Sequence, residues 1–261
     1  MIPKIIHYCW FGHGEMPKLS KKCIRSWKKH CSDWRIILWN EDNFDINQCP
    51  IYVRQAYEAK KWAFVSDYVR LKLVYQYGGV YLDTDVELLK SLDELLKYKA
   101  FFGFEDNGTQ INTGLGFGAE KESPVIKRML DDYMEIPFIL SDGSIDETTC
   151  PQRNTPALFE LGLQPNDTLQ VLEGDILVLP REYLCPVGYW HHTDRITDNS
   201  ISIHWYNASW LSQSYLQKRG RKLKNLRLQR KIEALKLFPK RAIRKIFGDQ
   251  LIDSLKAGFK K

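Results

Sequence analysis

The alternation of apolar and polar positions predicts strands and helices in turn over the first 210 residues. An apolar run at 4–10 predicts a first strand, helical spacing at 19–30 a helix, and an apolar run at 35–39 a second strand. A strand, a helix and a strand at this spacing are typical of a βαβ unit with parallel strands. We therefore expect a single α/β domain.

The clearest helical pattern covers residues 57–77. Apolar residues recur there at every fourth position, namely Val65, Val69, Leu73 and Tyr77. Gly78 follows and is suited to end the helix in a left-handed conformation. A short strand at 80–82 then leads into the acidic sequence Asp83-Thr84-Asp85.

The remaining pattern extends the same α/β alternation. Further strands are predicted at 100–104, 114–118, 169–180 and 200–205, with a helix at 124–133. The composition becomes polar at 141–154, which predicts a loop.

Charge divides the chain into two unequal parts. The net charge is +6, yet residues 218–261 contain 16 Lys or Arg and 3 Asp or Glu, whereas the remainder contains 22 basic and 29 acidic residues. Such asymmetry indicates an anionic surface as a partner of the basic part. We therefore predict a catalytic domain over 1–217 and a basic tail over 218–261.

The basic tail has an intermittent apolar stripe, formed by Leu223, Leu226, Ile232 and Leu235. A basic amphipathic helix of this kind lies well on an anionic membrane leaflet. A solvated helical extension and nucleic-acid binding are the alternatives. The acidic body and the lack of a nucleic-acid-binding motif in the sequence disfavour the last, so no nucleic-acid partner is predicted.

Other features favour an intracellular protein. Apolar runs are too short to span a bilayer, and the first residues lack the pattern of a signal peptide. The six cysteines are scattered without a C-x-x-C pair, which favours reduced and mostly buried thiols. We therefore expect a cytoplasmic protein that binds peripherally at the inner face of the plasma membrane.

The acidic turn carries the main chemical signal. Asp83 and Asp85 are two apart, so in an extended segment both side chains would reach one cation. Its position after a strand is where open α/β sheets bind ligands. Asp67 and Arg70 lie three apart on the preceding helix, where they could contact a nucleotide sugar or form a structural ion pair.

The combination of motifs resembles the DXD-type glycosyltransferase family of bacterial capsular-polysaccharide enzymes and the fungal initiating α-1,6-mannosyltransferase. The clostridial glucosylating toxins are more distant relatives. The resemblance runs from residue 2 to about 210, with anchors at 2–12, 66–85, 111–114 and 204–210. It implies a GT-A fold, in which helices flank a mixed, mainly parallel Rossmann-like sheet. It also implies a divalent metal, a nucleotide-sugar donor and retention of anomeric configuration.

The same resemblance implies roles for residues outside the acidic turn. Trp10 would stack on the nucleotide base, and Asn112 would bind donor-sugar or acceptor hydroxyls. His204 would be a third metal ligand with Asp83 and Asp85, and Ser209 and Trp210 would contact the diphosphate. The residues that bind the donor would then be Trp10, Asp67, Arg70, Asp83, Ser209 and Trp210. An imidazole ligand suits Mn²⁺ better than Mg²⁺. An ordinary core Trp and a core His on a strand are the alternatives for Trp10 and His204.

Two other regions receive different interpretations. His7 is interpreted as structural, and the pair His191-His192 as part of a solvated loop. The segment 149–154 reads Thr-Cys-Pro-Gln-Arg-Asn instead of a glycine-proline acceptor loop, which leaves the acceptor side open.

The leading hypothesis is a transferase that moves a hexose from a nucleotide sugar to a lipid-linked saccharide during surface or capsular polysaccharide synthesis. Its catalytic residues would be Asp83, Asp85 and Asn112. Similarity to capsule enzymes favours a UDP-hexose such as UDP-galactose, and GDP-mannose is the alternative donor. A metal-dependent phosphoesterase or sugar-nucleotide hydrolase and a non-catalytic membrane adaptor are the competing hypotheses.

Overall fold

The computed structural model of the protein describes residues 1–188 and 196–206. The strands are β1 (Ile5–Cys9), β2 (Arg35–Trp39), β3 (Gly79–Tyr81), β4 (Val86–Leu88), β5 (Ala100–Gly103), β6 (Phe117–Ala119), β7 (Gln170–Leu172), β8 (Ile176–Leu179) and β9 (Ser202–His204). The helices are α1 (Lys18–His30), α2 (Ile51–Glu58), α3 (Trp62–Tyr77), α4 (Pro124–Asp131), α5 (Cys150–Phe159) and α6 (Arg181–Leu184).

A mixed sheet forms the centre of the described chain, with strand order β2-β1-β3-β6-β5-β8-β7. β1 pairs in parallel with β2 and β3, and β5 pairs in parallel with β8. β6 runs antiparallel to β3 and β5, and β7 runs antiparallel to β8. Most of these strands therefore point the same way, which confirms the predicted α/β fold with a mixed, mainly parallel sheet. The predicted basic tail lies outside the described residues.

Alternating side chains of the strands fill two apolar layers, one on each face of this sheet. Val80 and Phe101 belong to the layer that contains Trp27 of α1, whereas Tyr81 and Phe102 belong to the layer packed against α3, α4 and α5. Successive side chains of a strand point to opposite faces, so neighbouring residues enter different layers. Both faces are covered by helices, as expected for a largely parallel sheet.

The predicted helix at 57–77 is wrong in its first part. The structure has two helices, since α2 ends at Glu58 and α3 begins at Trp62. Lys60 has φ 57°, and the amides of Lys60 and Lys61 donate to the carbonyls of Tyr57 and Ala56. This is the Schellman arrangement that usually has glycine at the left-handed position. A lysine there gave no sequence signal for the end of α2.

The end of α3 also differs from the expectation. Gly78 has a positive φ of 66°, as expected, but its ψ of −176° lies outside the left-handed helical region. The chain passes directly into β3, and a Cβ on Gly78 would come within 2.9 Å of the Lys121 amide nitrogen. Glycine is therefore required here by both its backbone angle and the close packing.

Several element boundaries are corrected by the structure. The predicted loop at 141–154 contains the start of α5, whose first turn is closed by a capping box between Thr149 and Gln152. The predicted strand at 169–180 is a hairpin of β7 and β8, and only 117–119 of the region predicted around 114–118 is a strand. β4 was not predicted.

Two predictions from composition can also be compared with the described chain. All six cysteines are buried free thiols, in agreement with the prediction. Within 1–188 and 196–206, no helix combines the length and the apolar character needed to cross a bilayer.

Candidate metal and donor site

The candidate site lies where the parallel strands β1 and β3 end side by side. Trp10 directly follows β1, and Asp83 lies two residues beyond β3. The expectation that Asp83 and Asp85 converge from an extended segment is wrong. The amide of Val86 donates to the carbonyl of Asp83 at 3.0 Å, so the two carboxylates are brought together by a tight turn.

The pairing of β4 with β9 adds a third side chain to this turn. Val86 lies opposite His204 in the antiparallel register, and the Trp205 amide donates to the carbonyl of Asp85 at 3.0 Å. His204 Nε2 consequently lies 3.1 Å from Asp85 Oδ1 although 119 residues separate the two in sequence. Ligand atoms of Asp83, Asp85 and His204 all lie within 4.8 Å of one another.

The negative charges around His204 favour the binding of a cation. Burial lowers the pKa of His204, but Asp85, Asp83 and Glu105 outweigh that effect and leave the pKa above its usual value of 6.5. The other ring nitrogen, Nδ1, is buried without a hydrogen-bond partner in the described chain. Carboxylates and an imidazole are ligands for hard and borderline divalent ions. The donor set therefore fits a divalent metal.

Arg70 contacts Asp83, which supplies the first carboxylate of the turn. Its Nη2 lies 3.0 Å from Asp67 Oδ1 and 3.2 Å from Asp83 Oδ1, and the Tyr81 hydroxyl donates to the same Asp83 oxygen at 3.1 Å. The Arg70 side chain is only 4% exposed. The Asp67–Arg70 ion pair left open by the sequence is thus present, and it extends to Asp83.

Burial raises the pKa of both carboxylates beside Arg70. It raises the pKa of Asp67 to about 6, although Arg70 acts in the other direction. It also raises the pKa of Asp83, again against the effect of Arg70, and the charge of Asp85 adds to the rise. Closely packed carboxylates repel one another, and a bound cation relieves that repulsion.

Asn112 is held in one orientation beside this group. Its Nδ2 donates to Glu105 Oε1 at 3.0 Å, and its Oδ1 accepts from the Gly114 amide at 2.6 Å. The Cys150 thiol lies 3.4 Å from the same Oδ1 and 3.7 Å from Arg70 Nη1. The side chain predicted to bind sugar hydroxyls is therefore positioned by its neighbours.

Glu105 and Cys150 were not among the predicted site residues. Glu105 lies two residues beyond β5, just as Asp83 lies two residues beyond β3, so the rule applied to the acidic turn could have found it. Burial raises the pKa of Glu105, whereas its hydrogen bond from Asn112 acts in the opposite direction. Cys150 lies in the segment that departs from the expected glycine-proline loop, and its sequence gave no indication of its contacts.

Gly114 allows the chain to pass close to the acidic turn. A Cβ built on this residue would lie 2.5 Å from Asp83 Oδ2 and 3.0 Å from Asn112 Oδ1. Any side chain here would therefore overlap the Asp83 carboxylate. The sequence indicated Gly114 only as part of the anchor at 111–114. The structure gives the steric reason why a glycine is required at this position.

Trp10 lies half-buried at the end of β1, with its indole nitrogen donating to the carbonyl of Gly14 at 2.6 Å. This contact with the following loop fixes the ring beside the strand ends. Base stacking by Trp10 stays a prediction. The predicted diphosphate contacts Ser209 and Trp210, and the pair His191-His192, lie outside the described residues.

The sequence of the acidic turn and its surroundings matches a known family. Residues 17–102 match the family model described as "Glycosyltransferase sugar-binding region containing DXD motif". This segment includes Asp67, Arg70, Asp83 and Asp85. The match confirms the predicted resemblance to DXD-motif glycosyltransferases.

The chain is also similar to individual proteins. The chain is 32% identical over 145 residues to Inositol phosphoceramide mannosyltransferase 3 of Schizosaccharomyces pombe (strain 972 / ATCC 24843), covering 52% of this chain and 38% of that protein. It is 28% identical over 110 residues to Inositol phosphoceramide mannosyltransferase 1 of the same organism, covering 38% and 33%. The chain thus spans well under half of these curated relatives. The solved structure of PaToxG Glycosyltransferase is 20% identical, with a TM-score of 0.46 over 61% of this chain and 69% of that one.

Proposed function

We propose that the protein is a metal-dependent retaining glycosyltransferase that moves a hexose from a nucleotide sugar to a lipid-linked saccharide acceptor in surface or capsular polysaccharide synthesis. The observation that carries the proposal is the convergence of Asp83, Asp85 and His204 next to the buried Arg70. The motif match to a DXD sugar-binding region supports the same conclusion.

In this proposal Asp83, Asp85 and His204 hold Mn²⁺ or Mg²⁺, and the imidazole favours Mn²⁺. The bound cation would neutralise charge on the leaving diphosphate. Arg70 and Tyr81 both contact Asp83 Oδ1, so together they hold the Asp83 carboxylate in the orientation proposed to bind the cation. Gly114 packs beside Asp83 Oδ2, and because it has no side chain it does not overlap this oxygen.

The remaining residues would position the two substrates. Asn112 is preoriented, so it can bind a sugar hydroxyl with little loss of rotational freedom. Trp10 would stack on the base, which contributes about 1–3 kcal/mol in comparable contacts. Retention of configuration is what the family resemblance implies, with front-face attack assisted by the leaving phosphate, and we assign no protein nucleophile.

The direct test is release of nucleoside diphosphate from a sugar nucleotide by the purified protein in the presence of Mn²⁺. Asp85→Ala should abolish release, because one of the proposed ligands is removed. Asp142→Ala is a matched control, since Asp142 is exposed and pairs locally with Ser144. Equal release by wild type and Asp85→Ala would contradict the metal assignment, whereas no release by the wild type from any donor would favour a non-catalytic adaptor.

Two donors are proposed. A UDP-hexose such as UDP-galactose follows from the resemblance to capsule enzymes, whereas the names of the two fission-yeast relatives favour a mannosyl donor such as GDP-mannose. A panel of sugar nucleotides, each assayed for Mn²⁺-dependent hydrolysis, separates these candidates. Turnover that rises with added saccharide acceptor, with the sugar recovered on that acceptor, distinguishes a transferase from a sugar-nucleotide hydrolase.

The proposed acceptor also suggests where the protein acts. A lipid-linked saccharide is held at a membrane, and the basic residues of 218–261 are suited to an anionic leaflet. We propose a cytoplasmic enzyme bound peripherally at the inner face of the plasma membrane. Fractionation of cells into soluble and membrane pools, with and without a high-salt wash, tests this location.

A further inference from the structure

The first helix presents a continuous basic face to the solvent. α1 contains no acidic residue, and its exposed basic residues are Lys18, Lys21, Lys22, Arg25, Lys28 and Lys29. At about 100° per residue these six side chains fall within roughly one third of the helix circumference, along about 16 Å of its length. They form a single surface, which we call the α1 basic face.

The orientation of this face is fixed by the other side of the helix. Cys23 and Trp27 are fully buried against the sheet, and the Trp27 indole donates to the carbonyl of Val86 at 2.7 Å. The helix therefore cannot rotate without exposing its apolar side. The basic side chains face outward as a consequence of this packing.

Most of the charge on the α1 basic face is not neutralised by the protein. Lys21 pairs with Glu15, and Lys22 pairs with Glu87. The other four basic residues have no carboxylate within ion-pair distance in the part of the chain that the structure describes, namely Lys18, Arg25, Lys28 and Lys29. A run of unpaired like charges raises the local potential and attracts anions.

This positive charge is unusual for its surroundings. Residues 1–217 contain 22 basic and 29 acidic residues, and six of those 22 basic residues lie on the α1 basic face. An acidic body with one strongly basic face is complementary to an anionic surface that approaches from that side only. Trp27, the indole side chain of α1, is fully buried, so the helix itself exposes no Trp, Tyr or Phe ring, whereas surfaces for single-stranded nucleic acid combine charge with stacking aromatics.

The α1 basic face adjoins the candidate metal site. Lys22 Nζ lies 2.7 Å from Glu87 Oε2, two residues beyond Asp85, and 5.5 Å from the centre of the Trp205 ring, one residue beyond His204. The Trp205 indole donates to the same Glu87 oxygen at 2.9 Å. The face is thus tied to both segments that supply the proposed ligands.

We propose that the α1 basic face is a docking surface for the anionic headgroups of a membrane leaflet. Docking through this face would fix the candidate site at a constant distance from the leaflet. The proposal concerns residues 18–29 alone, and it is independent of the proposed role of 218–261 and of catalytic activity.

Lysine footprinting tests the proposal without interference from other binding regions. The full-length protein is acetylated with a water-soluble reagent, either with phosphatidylcholine vesicles or with vesicles that also contain phosphatidylglycerol, and each lysine is quantified by mass spectrometry. Lys18, Lys28 and Lys29 should react about five-fold more slowly with the anionic vesicles. Exposed Lys60 and Lys97 are internal controls, whose rates should not change.

A charge variant provides the second measurement. The full-length variant Lys18→Gln, Arg25→Gln, Lys28→Gln, Lys29→Gln should partition about ten-fold less onto anionic vesicles in a flotation assay. The matched control removes four exposed charges elsewhere, as Lys60→Gln, Lys61→Gln, Lys97→Gln, Lys99→Gln, and should partition like the wild type.

Four results would overturn the proposal. The wild type could fail to float with anionic vesicles, or it could float while the α1 lysines react as fast as the controls. The two quadruple variants could also lose partition equally, which would indicate a net-charge effect. If the α1 variant keeps vesicle partition but loses binding to single-stranded RNA, the face binds nucleic acid instead of lipid.

Discussion

Among the residues that the structure describes, two histidines are buried on strands, His7 and His204, and their hydrogen-bond partners and neighbouring charges differ. His7 lies in the sheet between neutral partners. The indole nitrogen of Trp39 donates to its Nδ1 at 3.1 Å, and its Nε2 lies 2.9 Å from the carbonyl of Gly78. An indole N–H can only donate, so Nδ1 must accept and Nε2 must carry the proton.

His204 lies instead among carboxylates. Its Nε2 contacts Asp85, and its Nδ1 has no hydrogen-bond partner in the described chain. The pKa values move apart accordingly, since burial and Arg35 lower that of His7 although the Gly78 hydrogen bond opposes them, while acidic neighbours raise that of His204. A histidine with both nitrogens satisfied by neutral groups stabilises the fold, whereas one whose Nε2 lies 3.1 Å from a carboxylate in a cluster of possible ligands is suited to a metal.

Replacing each histidine by alanine in a separate variant should give the largest difference in Mn²⁺-dependent activity. His204→Ala should reduce Mn²⁺-dependent release of nucleoside diphosphate by about 100-fold or more, because a proposed ligand is lost. His7→Ala should keep the activity per folded molecule. Activity and Mn²⁺ affinity of the two variants are measured at a temperature where both remain folded, and equal losses of Mn²⁺ affinity would contradict the distinction.

Gly114→Ala should produce the next largest loss of activity. Gly114 packs against Asp83, which belongs to the same candidate metal site as His204. The added Cβ would displace the Asp83 carboxylate, and a misplacement of about 1 Å costs about 100-fold in rate at a site that depends on positioning. Thermal unfolding and donor hydrolysis of the variant are compared with those of Gly143→Ala, since a Cβ at Gly143 meets no neighbour within 4 Å. Full activity of Gly114→Ala would contradict the steric role, whereas Gly143 has φ 82° and should lose only stability.

The smallest effect concerns stability and pH at His7. His7→Gln should lower the free energy of unfolding by about 1–3 kcal/mol at neutral pH, because a buried hydrogen-bond partner is lost. Since the pKa of His7 is lowered in the folded state, its contribution is present above 6.5 and is lost as the pH falls through the folded-state pKa. Urea unfolding from about pH 7.5 to about pH 5.5 should therefore show a shrinking difference between wild type and variant. A constant difference over that range would contradict the neutral state assigned to His7.

The sequence predicted those parts of the site that are close together along the chain. Asp67 and Arg70 share one helical face, and Asp83 and Asp85 share one turn, so spacing alone grouped them in pairs. The joining of Arg70 to Asp83 depends on how α3 packs on β3, which no local pattern contains. His204 came from the family resemblance, because its approach to Asp85 depends on the pairing of β4 with β9.

Other features could not be predicted because their signal is purely tertiary. Cys150 reaches the site through contacts with Asn112 and Arg70, and nothing in its neighbours along the chain distinguishes it from other buried residues. The break between α2 and α3 was missed because Lys60 occupies a position where glycine is usual. Apolar runs were sufficient to locate most strands of the sheet, since burial on both faces imposes a nearly continuous apolar pattern.

The late position of β9 has a consequence for biosynthesis. The chain is made from its amino end, and β9 is the last strand of the described residues, so Asp83 and Asp85 leave the ribosome well before His204. The full set of three proposed ligands exists only after almost the entire body has been translated. A nascent chain would therefore be unable to hold a metal with all three side chains until the body that surrounds the site is ready to fold.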